Sequence, residues 1–301
     1  MLNLIFRIKY RVVISSLISF MRIFSNAPIK LSSAPFFILG SGRNGSTLLA
    51  SILNAHKDVF VPPEQFILPY TIFKRYLRFD WSTNNLMQDV LNTIKMPNQT
   101  LNWEVDLRKI EIKDKGIASL FNSIYRSYSK QLKGDVKIWG DKTPLNVHFT
   151  NFIYPEFPNA KYIFLIRDPR DVALSYKKLT DHKAKNTDFA IWKWNDSIKM
   201  LDYLLARTDV LIIKYEELVC NPERELKKIL SYLEISKDMS ILSSKSGASD
   251  MGVGDHSFHK NLDKPINSSS VGKWKLYLND LAIKYTEQHS KINTERFGYC
   301  L

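Results

Sequence analysis

The sequence predicts an α/β fold: a P-loop-like parallel sheet flanked by helices on both faces. Three observations predict it. Apolar runs suited to buried strands recur at Phe36–Leu39, Val136–Trp139, Lys161–Ile166 and Val210–Ile213. Segments of helical periodicity separate them. The first run breaks into a glycine-rich turn that opens a helix. Strands alternating with helices imply a parallel sheet covered on both sides. The chain has 301 residues, 45% of them apolar, which is enough for a substantial core. A basic amphipathic segment over 1–34 is expected to precede a single domain over 35–301.

Phe36-Phe37-Ile38-Leu39 leads into Gly40-Ser41-Gly42-Arg43-Asn44-Gly45, then Ser46-Thr47. Leu48, Leu49, Ile52 and Leu53 follow at helical spacing. Strand, glycine turn and helix start are the context in which a phosphate loop forms. Glycines let successive N–H groups turn inward, and a helix N-terminus adds free N–H groups and partial positive charge. Gly40 and Gly45 have the spacing of a Walker loop, but Ser46 stands where its lysine would be. The cation is inside the loop, as Arg43. This pattern suits an anion other than a magnesium triphosphate. A glycine turn that merely caps a helix is the competing reading.

Val61-Pro62-Pro63-Glu64 stiffens the chain and puts a carboxylate close to the loop. Glu64 can serve as a general base there, although spacing alone favours an ordinary surface glutamate. Gln65 to Asn102 reads as helical, with aromatics three to four residues apart that suit a core. Ile117 to Lys133 is an amphipathic helix. Val136–Trp139 runs into Gly140-Asp141-Lys142-Thr143-Pro144, so Lys142 lies just past a strand end, either reaching into a site or solvated.

Lys161–Ile166 is the clearest second strand, and Arg167-Asp168-Pro169-Arg170-Asp171 follows it. Pro169 suits a first helical turn. Arg167 and Ser175, two turns into that helix, can share one phosphate; an Arg167–Asp171 ion pair is the alternative. A long packed helix covers Thr187–Arg207, and Val210–Ile213 is a further strand leading to Tyr215. Pro222–Leu233 is a periodic helix, and Ser236–Asp255 reads as a mobile loop. The loop at Gly40, Lys142, Arg167 and Tyr215 all follow strands. One crevice at the carboxyl edge of the sheet can therefore collect them.

Lys and Arg number 43 against 30 Asp and Glu, a net charge of +13. That favours anionic partners without choosing among them. Cys220 and Cys300, with no CxxC, argue against a disulfide framework or a thiolate zinc site. Reducing cytosol is the default compartment. Between Met1 and Ser25 apolar residues are broken by Arg7, Lys9, Arg11 and Arg22. The uncharged run Val12–Met21 is shorter than the roughly 20 apolar residues that span a bilayer. A basic amphipathic helix, packed on the domain or touching a membrane surface, is preferred over a signal peptide.

GSGRNGSTLL, HKDVFVPPE, KIWGDKTP, YPEFPNAKYIFLIRDPRDVALS, KYEELVCNPERELKKILSYLEI and KPINSSSVGKW, in this order from about Pro35 to Trp274, resemble the sulfotransferases that use 3′-phosphoadenosine 5′-phosphosulfate (PAPS). The resemblance is to tyrosylprotein sulfotransferases and bacterial sulfotransferases like them. It implies that Ser41, Gly42, Arg43, Asn44, Gly45, Ser46 and Thr47 bind the 5′-phosphosulfate, with Arg43, Ser46 and Thr47 making the main contacts. It implies that Arg167 and Ser175 hold the 3′-phosphate, and that Tyr215 and Lys273 contact the nucleotide. Glu64 would take the acceptor's proton, while Lys142, with Arg43, would stabilise charge on the transferring sulfonate. PAPS would leave as PAP, the 3′,5′-bisphosphate, and no metal is expected.

Two positions depart from the family pattern: Asn44 replaces a serine or threonine, and Leu179 replaces an arginine of the tyrosine-specific enzymes. Those enzymes are anchored and disulfide-bonded in the secretory pathway, which a chain with two cysteines fits poorly. The leading expectation is transfer of sulfonate from PAPS to a hydroxyl of a carbohydrate. Protein tyrosine or a small-molecule hydroxyl is the alternative acceptor, and a secretory membrane-anchored enzyme is the alternative setting. A P-loop kinase is disfavoured by Ser46. No nucleic-acid partner is expected, because a basic membrane- or nucleic-acid-binding module leaves the ordered motifs unexplained.

Overall fold

The structure, a computed structural model, describes residues 31–77, 116–179, 186–243 and 266–300, with 16–18, 20, 88, 90, 92, 106 and 110. The expected amphipathic segment at the N-terminus, the helical reading beyond Leu77 and most of the Ser236–Asp255 loop lie outside these residues. No helix among the described residues is long and apolar enough to cross a membrane.

Among the described residues, five parallel strands form the sheet. They are β1 (Phe36–Leu39), β2 (Val59–Phe60), β3 (Ile138–Asp141), β4 (Lys161–Ile166) and β5 (Val210–Lys214). Their order across the sheet is β2-β3-β1-β4-β5. β1 is central, with Phe36 opposite both Gly140 and Lys161. Val59 lies opposite Ile138 at one side, and Tyr162 opposite Val210 at the other.

Alternation along the strands divides the core in two, because successive side chains point to opposite faces. Phe37, Leu39, Tyr162, Phe164 and Ile166 pack on one side. There they meet α2 (Ile67–Leu77), α3 (Ile117–Leu132), α4 (Thr150–Glu156) and α6 (Thr187–Leu205). Phe36, Ile38, Ile163, Leu165 and Ile213 face the other side. They meet α1 (Ser46–Asn54) and α8 (Pro222–Tyr232). Between these elements lie α5 (Pro169–Lys177) and α7 (Tyr215–Cys220), and the chain ends with α9 (Trp274–Tyr277) and α10 (Asp280–Arg296).

The expected elements are present with shifted ends. The strand read as Val136–Trp139 is Ile138–Asp141, two residues later. This shift puts Asp141 inside the sheet and Lys142 directly at its edge. Several elements had no signal strong enough to read. β2 has only two residues. The 3₁₀ turn Pro144–Phe149 and α4 together connect β3 to β4. α10 buries only Thr286, Ser290 and Thr294, so its inner face is small and polar instead of apolar. Hydrophobic periodicity cannot reveal such a helix. Its start is nonetheless capped by the Asn279 side chain, which accepts from the Ala282 N–H at 3.0 Å.

Strand order places the site. β1 leads away toward β2 on one side of the sheet, while β4 leads to β5 on the other. The crevice beyond the carboxyl ends of β1 and β4 is therefore a topological switch point, where open parallel sheets bind ligands.

Candidate active site

The loop after β1 is held in its curled form by backbone conformation and close packing. Gly40, Gly42 and Gly45 all have positive φ, and Arg43 joins them at φ 57. At Gly40, a Cβ would lie 1.8 Å from Asn44 Nδ2 and 2.4 Å from the Leu165 carbonyl oxygen. At Gly45, φ is 91 and a Cβ would lie 2.4 Å from the Tyr215 ring. Only glycine fits either place. Gly45→Ala is therefore expected to lower folding stability by about 1–3 kcal/mol through left-handed strain. Thermal unfolding checks this, and an unchanged midpoint would contradict the packing of Tyr215 on the loop.

Asn44 is buried, and its side chain donates to the Leu165 carbonyl at 2.8 Å. It ties the loop to β4, so its contribution to an anion site is restricted to the backbone. The Ser41 carbonyl accepts from the Tyr176 hydroxyl at 3.0 Å, and the Ser41 hydroxyl donates to the Gly42 carbonyl at 3.1 Å. Ser46 is buried at the start of α1, and Thr47 beside it is half-buried.

At one end of the loop two residues that follow different strands meet. The Lys142 ammonium donates to Glu64 Oε1 at 2.5 Å and to the Thr47 hydroxyl at 3.3 Å. The Lys142 side chain is 3% exposed and that of Glu64 20%. Lys142 is therefore no solvated loop lysine: it is buried and paired with Glu64.

At the other end Arg43 Nε donates to the Ser175 hydroxyl at 3.1 Å. Arg167 lies alongside, donating to the Arg43 carbonyl at 3.0 Å and to the Ser270 carbonyl at 2.6 Å. Its guanidinium stacks 4.4 Å from the centroid of the Tyr215 ring. Asp171 is not its hydrogen-bond partner. That carboxylate accepts instead from the Gly272 and Trp274 N–H groups at 2.7 and 2.9 Å. Asp171 thereby fastens the turn that carries Lys273 against α5. Burial pushes the Asp171 carboxyl above its ordinary range, opposed by the Arg167 charge and these two backbone donors.

The arrangement fits an anionic ligand. Arg167 Nε is buried without a hydrogen-bond partner among the described residues. Burial holds the Arg43 guanidinium below its ordinary value, and the Arg167 charge adds to that effect. Two guanidiniums packed side by side are relieved by a phosphate between them.

Two contributors escaped the sequence reading. Lys193 of α6 lies over the Tyr176 and Phe189 rings, at 5.3 and 5.7 Å from their centroids. A Cβ on Gly42 would be 3.7 Å from its Nζ. Nothing in WKWND distinguishes this lysine from a solvated one. Glu216, past β5, accepts from the Asp168 N–H at 3.0 Å and from the Tyr299 hydroxyl at 2.8 Å. It holds the ends of β4 and β5 at a fixed spacing. Leu179 packs on the core, so the arginine expected there in tyrosine-specific enzymes has no counterpart at that position.

A curled glycine loop, two neighbouring arginines and a glutamate–lysine pair thus lie together at the carboxyl edge of a P-loop-like sheet. A family model described as "Sulfotransferase family" matches residues 35–239. The chain belongs to the sulfotransferase family. Among curated proteins, it is 25% identical over 252 residues to a protein-tyrosine sulfotransferase of Drosophila melanogaster, covering 79% of this chain and 46% of that one. It is 26% identical over 263 residues to protein-tyrosine sulfotransferase A of Caenorhabditis elegans, covering 80% and 61%. The chain thus spans about half to two thirds of the length of these relatives. Among solved structures, the sulfotransferase domain of the Synechococcus PCC 7002 olefin synthase matches with TM-score 0.63 and 25% identity, covering 92% of this chain and all of that one. The sulfotransferase domain from the curacin biosynthetic pathway matches with TM-score 0.61 and 20% identity, covering 90% and 100%. It shares the fold.

Proposed function

We propose that the chain transfers sulfonate from PAPS to an acceptor hydroxyl, releasing PAP and a sulfate ester. The observation that carries this reading is the two-ended loop. Arg43, Ser175 and Arg167 gather at one end. Lys142, Glu64 and Thr47 gather at the other. PAPS supplies an activated sulfonate between a 5′-phosphate and the acceptor.

The protein's contribution is positioning and charge stabilisation, as in phosphoryl transfer. The backbone N–H groups from Ser41 to Thr47, with the Ser46 and Thr47 hydroxyls, bind the 5′ end. Arg167 and Ser175 take the 3′-phosphate. Tyr215 and Lys273 border the nucleotide. Glu64 accepts the proton of the attacking hydroxyl. Lys142 offsets the charge on the sulfonate and its leaving oxygen, and Arg43, whose guanidinium also feels the Glu64 charge, adds to this from the other end of the loop. Lysine and arginine do this without a metal, because a sulfonate carries less charge than a terminal phosphate.

A protein tyrosine is the acceptor the relatives favour. Both curated relatives are named for tyrosine as acceptor, and neither name supports the carbohydrate hydroxyl that basicity suggested. The acceptor reading is tested with labelled PAPS against tyrosine peptides and soluble glycans in parallel. Label in peptide alone supports the tyrosyl reading, and label in glycan alone overturns it.

The nucleotide reading is tested by calorimetric titration with PAP, using ADP plus magnesium as control. PAP is expected to bind at least about tenfold tighter, since its 3′-phosphate adds a charge-assisted contact. Equal or tighter binding of magnesium ADP would replace this reading with a kinase.

A further inference from the structure

Glu64 and Lys142 reach each other from separate loops, one after β2 and one after β3. Their neighbours in sequence, Gln65 and Asp141, meet directly beneath them. Asp141 is 2% exposed. Its Oδ2 accepts from Gln65 Nε2 at 2.7 Å and from the Tyr125 hydroxyl. Its Oδ1 accepts from Asn146 Nδ2 at 2.8 Å. No lysine or arginine forms an ion pair with it among the described residues.

Gln65 uses its other polar groups on the same junction. Its N–H donates to the Thr143 hydroxyl at 3.2 Å, on the far side of Lys142. Its Oε1 accepts from the Ile67 and Leu68 N–H groups at 2.7 and 2.9 Å, closing the start of α2. Burial pushes the Asp141 carboxyl upward, opposed by hydrogen bonds from Tyr125, Gln65 and Thr143 and by the Lys142 charge. A buried carboxylate whose hydrogen-bond partners are all neutral, with its nearest cation paired elsewhere, is unfavourable for folding by itself. Its place, bonded across the two loops that carry the base and the cation, points to a purpose other than stability.

We propose that Asp141 is a positioning residue for sulfonate transfer: bonded to Gln65, Tyr125 and Asn146, it fixes where Glu64 stands relative to Lys142. The proposal rests on the catalytic reading of that pair. Displacements of about 1 Å in such a pair reduce turnover by up to ~10²-fold.

The test is a swap cycle in the full chain: Asp141→Asn, Gln65→Glu and the double variant Q65E/D141N. Each single change sets like groups against each other, two donors in the first and two acceptors in the second. The double change restores an amide–carboxylate pair with its polarity reversed. It still leaves an acceptor for Asn146 and for the Ile67 and Leu68 N–H groups, while the Tyr125 hydroxyl turns from donor to acceptor at the new amide. Turnover, KM for PAPS and PAP affinity are measured on each variant, with unfolding temperature as the check on folding.

Each single variant is expected to lose roughly 10- to 100-fold in kcat with PAP affinity changed less than about threefold. The double variant is expected to recover at least about tenfold. Unchanged kcat in folded D141N, no recovery in the folded double variant, or PAP affinity falling in step with kcat would each overturn the proposal. If D141N does not fold, Tyr125→Phe takes its place. It removes one hydroxyl from the same carboxylate oxygen and should lower kcat several-fold at constant PAP affinity; unchanged kcat overturns the proposal. Glu64→Gln is run alongside. Full turnover in that variant removes the base assignment itself. An inactive E64Q with a fully active D141N removes only the positioning role.

Discussion

Replacing Glu64 with glutamine is expected to reduce turnover by about 10²–10⁴-fold while PAP binds as before. Glutamine keeps the length and shape of the side chain and still offers Lys142 an oxygen. It cannot take a proton from the acceptor hydroxyl. The loss corresponds to about 3–5 kcal/mol of transition-state stabilisation. One side effect is foreseeable. Lys142 is 3% exposed, and losing the charge opposite it leaves its ammonium less well compensated. Folding stability should fall by about 1–3 kcal/mol. Single-turnover rates at saturating PAPS, paired with a PAP titration, separate the two effects. Retained turnover with intact PAP binding would remove Glu64 as the base. Lost PAP binding would mean that the residue shapes the loop instead.

Arg167→Ala is expected to weaken PAP by about 10²-fold, two charge-assisted bonds to a phosphate being worth about 1.5–3 kcal/mol each before compensation. AMP, which lacks the 3′-phosphate, should weaken less than about tenfold. Some loss for AMP is expected because the same guanidinium holds the Arg43 and Ser270 carbonyls. Arg167→Lys keeps the charge without the fork and should fall between wild type and alanine. Equal losses for PAP and AMP would mean that Arg167 supports the loop and does not read the 3′-phosphate.

Much of this site is readable from residues because its parts are local. A four-residue apolar run, a glycine turn with Gly40 and Gly45 at fixed spacing, and a helical leucine pattern lie within twenty residues of sequence. Each follows from backbone sterics and side-chain periodicity. Arg167 is legible for the same reason: it ends the clearest strand and precedes a proline suited to a first helical turn. The direction of Asn44 is not legible. Its side chain turns to the Leu165 carbonyl, a partner 121 residues away. Lys193 and Glu216 belong to the same class, since their sequence surroundings match those of any solvated charged residue.

Composition, strand periodicity and loop chemistry by themselves determined that this chain is an α/β protein with a glycine-rich loop between a strand and a helix. Tertiary structure decided which residues meet. Arg43 reaches Ser175 across 132 residues of sequence, Lys142 reaches Glu64 across 78, and Gln65 reaches Asp141 across 76. These contacts depend on the strand order β2-β3-β1-β4-β5, which brings the ends of distant strands to one edge. Periodicity reports which face of a strand is buried but carries no information about its neighbours. The pairing of Glu64 with Lys142, and the buried carboxylate beneath them, therefore exist only once the sheet has assembled.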